Sequence, residues 1–255
     1  METRTQNDIS FLADPWPPAA ERPTLILLHG AAMSNTFWQP QIEALAGACN
    51  TLAPDLPGHG DSPGSGFDTI AAYTDRIAAW LDDLAVPRPV PCGLSMGGAV
   101  CLDLLLRHPD RFEAGILINT GARLRVMPLI FESIKTNFED FKNMLTMAAV
   151  AAPNQTKEMS ELVRAQIQCT AETAHGDFTA CNAFDVMDRI TGINVPVLII
   201  SGNDDTTTPP KYAAFLADQI PGARLEKIDQ AAHLAPLEQP AAVNAAMAGF
   251  LKQLG

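Results

Sequence analysis

Short, almost continuous apolar runs recur along this chain, and most of them end at or near a glycine. The first is TLILLHG at 24–30, and similar runs follow at 51–58, 90–95, 115–121, 195–202 and 223–229. A strand that is buried on both faces needs such a run, because each of its sides contacts apolar neighbours. The runs therefore predict the strands of a largely parallel sheet.

Helical patterns separate these runs. Residues 68–85 place apolar side chains on one face, with Asp68 as the expected N-cap. Further helices are expected at 97–107, 209–220 and 239–254. Strands that alternate with helices are typical of an α/β fold with a doubly wound, mostly parallel sheet. Residues 1–23 are polar and proline-rich, and they predict at most a short strand around 9–12.

The stretch from 122 to 190 interrupts this alternation. It has no strand-like run, and its aromatic, methionine and charged residues recur at helical spacing. We interpret it as a helical cap (122–190) inserted into a core formed by residues 1–121 and 191–255. A chain of 255 residues fits one large domain with such an insertion.

The composition narrows the expected partners and location. A formal net charge of −12 repels nucleic acid, and no basic run compensates for it. The N-terminal segment lacks the apolar centre of a signal peptide, and no 18-residue apolar stretch occurs, so we expect a cytoplasmic protein without membrane contact. The five cysteines are widely spaced, which predicts free thiols rather than a zinc site or a disulfide framework. No metal or other cofactor is expected, and the oligomeric state is left open.

One apolar run leads directly into CGLSMGG, residues 92–98. Gly93, Ser95 and Gly97 match the pattern G-x-S-x-G between a strand pattern and a helix pattern, which is the context of a nucleophile elbow. The residues two positions from a serine on so sharp a turn must be small. The turn exposes the hydroxyl at the carboxyl edge of the sheet, where the N-terminus of the next helix favours negative charge. Ser95 is therefore the predicted nucleophile.

A nucleophilic serine needs a general base. His108 ends a helix, where its contacts are expected to be structural, and His175 lies among the inserted helices. His233 follows the last expected strand, at the same sheet edge as Ser95, and is the predicted base.

The base in turn needs an acid that orients it. The segment SGNDD follows the strand VPVLIIS, and a carboxylate there reaches the loop after the next strand. Asp204 and Asp205 both qualify. One of them is expected to orient the imidazole, and the other to cap the following loop or helix.

The transition state also needs donors for its oxyanion. The backbone N–H of Met96, directly after the nucleophile, is one, and the N–H of Ala31 in the loop HGAAMS is the other candidate. His29 and His59 are expected to brace their own loops rather than to take part in catalysis.

These segments, in this order, resemble the alpha/beta-hydrolase family. The resemblance rests on the HG loop at 25–31, DLPGHGDS at 55–62, GLSMGG at 93–98, the strand-G-x-x-D segment at 202–205 and the late His233. In size and layout the chain is similar to small carboxylesterases such as the pimeloyl-carrier-protein methyl ester esterase. Enol-lactonases, meta-cleavage-product hydrolases and cofactor-free haloperoxidases share that layout.

The resemblance implies roles for individual residues. It implies Ser95 as nucleophile, His233 as base and Asp205 as acid, since the family usually places its acid third after the glycine and follows it with a short segment and a proline. It also implies that the inserted helices cover the active site. It extends over roughly residues 24–120 and 191–255.

Several departures from the family pattern refine the expectation. The N-terminal hairpin looks shortened, and Ala232 stands where a glycine usually precedes the late histidine. Ala31 and Ala32 replace a glycine pair, which does not support a wide oxyanion hole for tertiary-alcohol esters. Because the elbow residue is Ser95 rather than aspartate, epoxide hydrolase and haloalkane dehalogenase chemistry is disfavoured.

The resulting hypothesis is a serine hydrolase that cleaves a small-molecule carboxylic ester through an acyl-enzyme. Apolar residues of the insertion indicate a small to medium acyl or aryl substrate, with Leu129, Phe131 and Phe138 as candidate contacts. One alternative uses the same residues to hydrolyse a C–C bond or an enol-lactone in aromatic catabolism. Another is a ligand-binding protein of the same fold without turnover.

Overall fold

The computed structural model describes residues 1–254 and contains one eight-stranded sheet. Its spatial order is β1-β2-β4-β3-β5-β6-β7-β8. β2 runs antiparallel to β1 and β4, and all other neighbours pair in parallel. The strands are β1 (Glu2–Gln6), β2 (Ile9–Asp14), β3 (Thr24–Leu28), β4 (Asn50–Pro54), β5 (Val90–Leu94), β6 (Gly115–Ile118), β7 (Val197–Gly202) and β8 (Arg224–Ile228). The expected α/β class with a mostly parallel sheet is confirmed.

The apolar runs form strands because both of their faces are covered. In β3, Leu25 and Leu27 pack into one apolar cluster, and the alternating Ile26 and Leu28 pack into another on the opposite face. The helices that supply these clusters lie on both sides of the sheet. They are α1 (Gln39–Leu45), α2 (Ile70–Leu84), α3 (Met96–Arg107), α4 (Pro128–Thr136), α5 (Phe138–Ala148), α6 (Lys157–Gln166), α7 (Ala171–Ala183), α8 (Pro210–Gln219), α9 (Ala235–Glu238) and α10 (Pro240–Leu251).

Two local expectations were wrong. The N-terminus forms a complete hairpin rather than at most a short strand: β1 pairs with β2 from Glu2 opposite Ala13 to Gln6 opposite Ile9. The exposed face of β1 gave no apolar signal. Helix α2 is capped by Thr69, whose hydroxyl accepts the Ala72 N–H, and not by Asp68.

The strand order determines where a site can form. The chain passes from β3 to β4 on one side and then returns to place β5 on the other side of β3. The loops that leave β3 and β5 therefore diverge, and a crevice opens between them at the carboxyl ends of the strands. The HG loop follows β3, and the G-x-S-x-G turn follows β5.

Four helices, α4 to α7, lie between β6 and β7, where the sequence predicts an insertion. We call them the inserted helices. Ala32 of the HG loop joins Ile134, Phe141, Ile167 and Ala174 in one small apolar cluster, so these helices pack directly on that loop. The division into a core of 1–121 and 191–255 and a cap of 122–190 stays a prediction.

Candidate active site

Ser95 occupies the turn between β5 and α3 with φ 53° and ψ −113°. A positive φ is uncommon for a residue with a Cβ. Close packing of strand against helix imposes it. A Cβ on Gly93 would lie 2.2 Å from the Gly97 carbonyl carbon, and a Cβ on Gly97 would lie 2.2 Å from the Leu28 carbonyl oxygen. The two glycines therefore hold Ser95 on a sharp, strained turn at the carboxyl edge of the sheet.

Asp205 and His233 form a buried pair in the loops after β7 and β8. His233 Nδ1 lies 2.9 Å from Asp205 Oδ2. The same carboxylate accepts the Thr208 hydroxyl at 2.7 Å and the N–H groups of Thr207 and Thr208 at 2.8 and 2.9 Å. Asp204 is exposed, and no hydrogen bond of its side chain occurs within residues 1–254. Of the two aspartates that the sequence left open, the structure brings Asp205 to the histidine.

The surroundings of Asp205 favour its ionised form. Burial alone would raise the pKa of this carboxyl. The electrostatic interaction with His233 and the hydrogen bonds from His233 and Thr208 outweigh burial and hold the pKa of Asp205 below its usual value. A carboxylate only accepts hydrogen bonds, so Nδ1 of His233 carries a proton and Nε2 is the acceptor of the neutral ring.

The end of β6 links the serine turn to the histidine loop. Ser95 donates its N–H to the Ile118 carbonyl at 3.0 Å. Next along the chain, Asn119 donates from Nδ2 to the carbonyls of Ala232 and His233 at 2.7 and 2.8 Å. Within residues 1–254, no hydrogen bond joins the Ser95 hydroxyl to His233. That contact stays a prediction, and such bonds are often long before substrate binds.

Two backbone N–H groups next to Ser95 have no acceptor within the described residues 1–254. One belongs to Met96, the first residue of α3, where an intrahelical partner is lacking by geometry. The other belongs to Ala31 in the HG loop. This loop touches the serine turn, since a Cβ on Gly30 would lie 3.6 Å from Ser95 Cβ. Neither N–H group is therefore engaged by an acceptor in the described residues near the serine turn.

The model of a family described as "Alpha/beta hydrolase family" matches residues 25–246. The chain belongs to the alpha/beta hydrolase family. It is 29% identical to 3-oxoadipate enol-lactonase 2 of Acinetobacter baylyi, over 92% of this chain and 90% of the relative. It is 28% identical to a pimeloyl-[acyl-carrier protein] methyl ester esterase of Aromatoleum aromaticum, over 86% and 94%. The crystal structure of the enol-lactonase from Burkholderia xenovorans LB400 superimposes with a TM-score of 0.89 at 26% identity, over 98% and 100%.

Sequence reasoning missed one functional candidate of this hydrolase, Asp177 on the inserted helix α7. Its carboxylate is fully buried and accepts three donors from separate core segments: the Ala32 N–H at 2.7 Å, His59 Nε2 at 2.8 Å and the Tyr73 hydroxyl at 2.5 Å. The sequence feature that could have indicated Asp177 is a charged residue on the same face of α7 as the buried Ala174.

His59 is an imidazolium in this network. Its Nε2 faces the Asp177 carboxylate, and its Nδ1 faces the Pro57 carbonyl at 3.1 Å. Neither oxygen can donate, so both ring nitrogens carry protons. Burial lowers the pKa of His59, but the charge of Asp177 and its hydrogen bond outweigh burial and raise it. His59, which the sequence predicts to brace the 55–62 loop, thus also pairs with the inserted helices through Asp177.

His29 lies against His59, with ring centroids 4.9 Å apart, but is neutral. It donates from Nδ1 to the Gly30 carbonyl at 2.9 Å and accepts the Leu56 N–H on Nε2 at 3.0 Å. Burial and the neighbouring His59 lower its pKa to about 3. These contacts agree with the expected role of His29 as a brace between two loops.

Glu238 of α9 is a second buried carboxylate that the sequence did not reveal. It accepts the Ala232 N–H at 2.9 Å, directly before His233. Its other oxygen accepts the Ala151 N–H at 2.8 Å and the Asn154 amide at 2.9 Å, both from the inserted segment. Glu238 therefore links the histidine loop to the segment between α5 and α6.

The three candidate substrate contacts lie on α4 and at the start of α5. Leu129 is 60% exposed. Phe131 packs edge-on against His175, and Phe138 stacks on Phe141. The first of these aromatic contacts joins α4 to α7, and the second lies within α5. A substrate role for the three residues stays a prediction.

The described part of the chain, residues 1–254, holds no group of three His, Cys, Asp or Glu side chains arranged to bind a metal. Within the same residues, every helix is too short or too polar to cross a bilayer. All five cysteines are free thiols, and burial raises the pKa of each one. A raised pKa disfavours the thiolate, which argues against a cysteine nucleophile.

Proposed function

We propose that this member of the alpha/beta hydrolase family is a serine hydrolase that cleaves a carboxylic ester. The hydrogen-bonded pair of Asp205 and His233 supports this most, because it lies at the same sheet edge as the strained Ser95. A serine on such a turn, a base oriented by a buried carboxylate and two unpaired N–H groups are the parts that acyl transfer requires.

The proposed reaction has two halves. His233 Nε2 takes the proton of Ser95 as its oxygen attacks the ester carbonyl, and the N–H groups of Ala31 and Met96 bind the oxyanion. The alcohol leaves with the proton from His233, and an acyl-enzyme remains on Ser95. Water then attacks with the same base, and the acid is released. Asp205 keeps Nδ1 of the histidine protonated and stabilises the imidazolium that forms in each half.

The inserted helices supply the proposed selection of substrate. We assign residues 122–190 as a cap and Leu129, Phe131 and Phe138 as contacts for a small to medium apolar acyl or aryl group. Met127 and Leu129 are 65% and 60% exposed at the start of α4, which gives this side of the insertion apolar surface for such a group.

An enol-lactone is the second candidate substrate. A lactone is an internal ester, so the same residues open it without any further group. The similarity to enol-lactonases in both sequence and structure favours this candidate. Its acyl-enzyme differs because the leaving enol remains attached to the acyl chain.

The test compares wild type with Ser95→Ala on p-nitrophenyl esters from acetate to laurate and on a simple enol-lactone. Ser201→Ala is the matched control, because it removes a buried hydroxyl from the end of β7. We expect wild type and Ser201→Ala to turn over at similar rates and Ser95→Ala to fall to background. The preferred chain length then reports the depth of the acyl pocket.

Two outcomes contradict the proposal. Equal rates for Ser95→Ala and wild type would show that Ser95 is not the nucleophile. Saturable binding of these compounds, without turnover above the Ser95→Ala background, would indicate a binding protein of this fold.

A further inference from the structure

The buried side-chain amide of Asn119 holds the backbone on both sides of the proposed base. Its Nδ2 donates to the carbonyls of Ala232 and His233 at 2.7 and 2.8 Å. These carbonyls belong to the two peptides that flank the Cα of His233. Because the peptides are planar, fixing both of them fixes φ and ψ of the residue between them, and with these the direction of its Cα–Cβ bond. Asn119 therefore contacts the histidine where its side chain is aimed.

The oxygen of the same amide contacts the strand that leads to the acid. Asn119 Oδ1 accepts the N–H of Gly202 at 2.8 Å, at the end of β7 and shortly before Asp205. A Cβ on Gly202 would lie 2.3 Å from the Ala232 carbonyl oxygen, so β7 and the histidine loop approach each other closely here. A carbonyl only accepts and an N–H only donates, so only one orientation of the amide fits these partners. All of its hydrogens are used.

Other hydrogen bonds hold the neighbours of the histidine, but not the peptide that joins Ala232 to His233. Glu238 accepts the Ala232 N–H, which lies one peptide earlier, and the N–H of Leu234 is bonded one peptide later. Within residues 1–254, the bond from Asn119 is the only hydrogen bond to the peptide between Ala232 and His233. Loss of the amide therefore leaves this peptide unheld.

The residues next to Asn119 hold the serine turn. The Ile118 carbonyl accepts the Ser95 N–H at 3.0 Å, and the Thr120 hydroxyl donates to the Ser95 carbonyl at 2.8 Å. The N–H of Asn119 itself donates to the Ile200 carbonyl in β7 at 2.9 Å, which fixes the segment to the sheet. Three consecutive residues at the end of β6 thus contact the backbone of both the nucleophile and the base.

We propose that Asn119 is a positioning residue for His233, which it holds in place relative to Ser95 by binding both peptides that flank the histidine Cα. The proposal deepens the proposed serine-hydrolase function and rests on it. Asn119 acts through the backbone of His233 and does not touch the reacting atoms. Its effect on the rate should therefore disappear when the imidazole is absent.

The test is a double-mutant cycle between Asn119→Asp and His233→Ala, measured on the best p-nitrophenyl ester. Aspartate has the size of asparagine and tolerates the positive φ of 42° at this position. A carboxylate has no donor and its protonated form has one, so at least one of the two carbonyls loses its partner. With the histidine present, we expect kcat to fall about 10- to 100-fold, since a misplacement of about 1 Å can cost about 100-fold. KM should stay within about threefold, because the base acts in both halves of the reaction.

The second background separates positioning from a general structural role. His233→Ala should keep a residual rate from the oxyanion donors and from binding, which is measured in single turnovers with enzyme in excess. In this background, Asn119→Asp should change the residual rate by less than about threefold, because residues that act as a unit are not additive. Distortion of the serine turn through Ile118 would instead slow both backgrounds by the same factor.

Asn50→Asp is the matched control. Asn50 is buried at the start of β4, at the opposite edge of the sheet. Its Nδ2 donates to the carbonyls of Ala19 and Arg22 at 2.9 and 3.1 Å, and its Oδ1 accepts the Ala19 N–H at 2.9 Å. The substitution removes the same kind of bonds away from the site, so kcat per folded molecule should stay within about twofold of wild type. Tryptophan fluorescence gives the folded fraction.

A second variant covers the case in which Asn119→Asp does not fold. Asn119→Gly then replaces it in the cycle, because glycine adopts a positive φ at no steric cost and brings no buried charge. It also removes both donors to the histidine loop. The same pattern is expected, with a loss of kcat in the presence of His233 and almost none in His233→Ala.

Three results would overturn the proposal: a wild-type kcat for the Asn119 variant, a loss of the same factor in the His233→Ala background, or an equal loss of kcat in Asn50→Asp. When Ser95→Ala and His233→Ala each lose most of the turnover, these results are failures of the positioning role alone. If either of those two variants turns over at the wild-type rate, the serine mechanism fails and the positioning role fails with it.

Discussion

Replacing Asp205 by asparagine tests the orientation of the base most sharply. Oδ1 accepts two backbone N–H groups, from Thr207 and Thr208, at 2.8 and 2.9 Å. The amide oxygen of Asp205→Asn must occupy that position, so its nitrogen takes the place of Oδ2. There it faces His233 Nδ1, which must then accept rather than donate. The ring proton moves to Nε2, and the histidine can no longer take the proton of Ser95.

The size of the effect follows from the cost of turning the amide over. The active tautomer returns only if the amide nitrogen faces the two backbone N–H groups and leaves both unpaired. Each buried unpaired donor costs about 1–3 kcal/mol, so the flip costs about 2–6 kcal/mol. One factor of ten in rate corresponds to about 1.4 kcal/mol, so kcat should fall between about 30- and 20 000-fold.

The matched control is Asp204→Asn, which removes the same charge from the neighbouring exposed residue. Steady-state kinetics on the best p-nitrophenyl ester should give kcat within twofold of wild type for this control. Thermal unfolding verifies that both variants are folded. A kcat for Asp205→Asn within fivefold of wild type, or an equal loss in Asp204→Asn, would refute the tautomer argument.

Three further predictions concern the free energy of unfolding, each measured by urea unfolding. Gly97→Ala should lower it by about 1–3 kcal/mol, because the new Cβ meets the Leu28 carbonyl. The control Gly249→Ala has open space in α10 and should raise it by about 0.5–1 kcal/mol, and an unchanged stability of Gly97→Ala would contradict the packing argument. Glu238→Gln should lower the free energy of unfolding by about 1–3 kcal/mol, because in either orientation the amide nitrogen faces one or two N–H donors and leaves them unpaired. An unchanged urea midpoint would contradict this role of Glu238. The pKa of His59 in the folded protein is raised above its ordinary value of 6.5. The ion pair with Asp177 therefore stabilises the fold fully below pH 6.5, and this stabilisation is lost as the pH rises through the pKa of His59 in the folded state. His59→Gln should abolish this loss of stability at high pH. If stability falls with pH equally steeply in wild type and His59→Gln, another group is responsible.

The central strands could be predicted from sequence because burial on two faces favours apolar side chains at most positions. β1 could not be predicted from apolarity, since its sequence ETRTQ is exposed at the edge of the sheet. Its signal was the turn. Asn7 and Asp8 both have positive φ, 48° and 58°, in a two-residue loop, and such residues favour the hairpin turn with two left-handed positions.

The candidate site likewise contains residues that the sequence predicts and residues that it does not. Ser95 and His233 each follow a strand in a recognisable local pattern, so they could be named from sequence. The roles of Asn119 and Asp177 depend on partners that lie more than 100 residues away along the chain. A local sequence pattern does not predict a contact between residues so far apart in the chain, and only the tertiary structure reveals it.

The bonds between the inserted helices and the core limit how this protein can be redesigned by exchanging segments with relatives. A chimera that received a foreign 122–190 segment would lose the acceptor for the Ala32 N–H and the counter-ion of His59 at once. It would also replace the Asn154 amide that donates to Glu238. In the proposed function the inserted helices select the substrate, so such a hybrid would change selectivity and these bonds to the core together. Substitutions confined to α4, which packs on α5 and α7, leave those bonds intact, so they would test the proposed substrate contacts without disturbing the core.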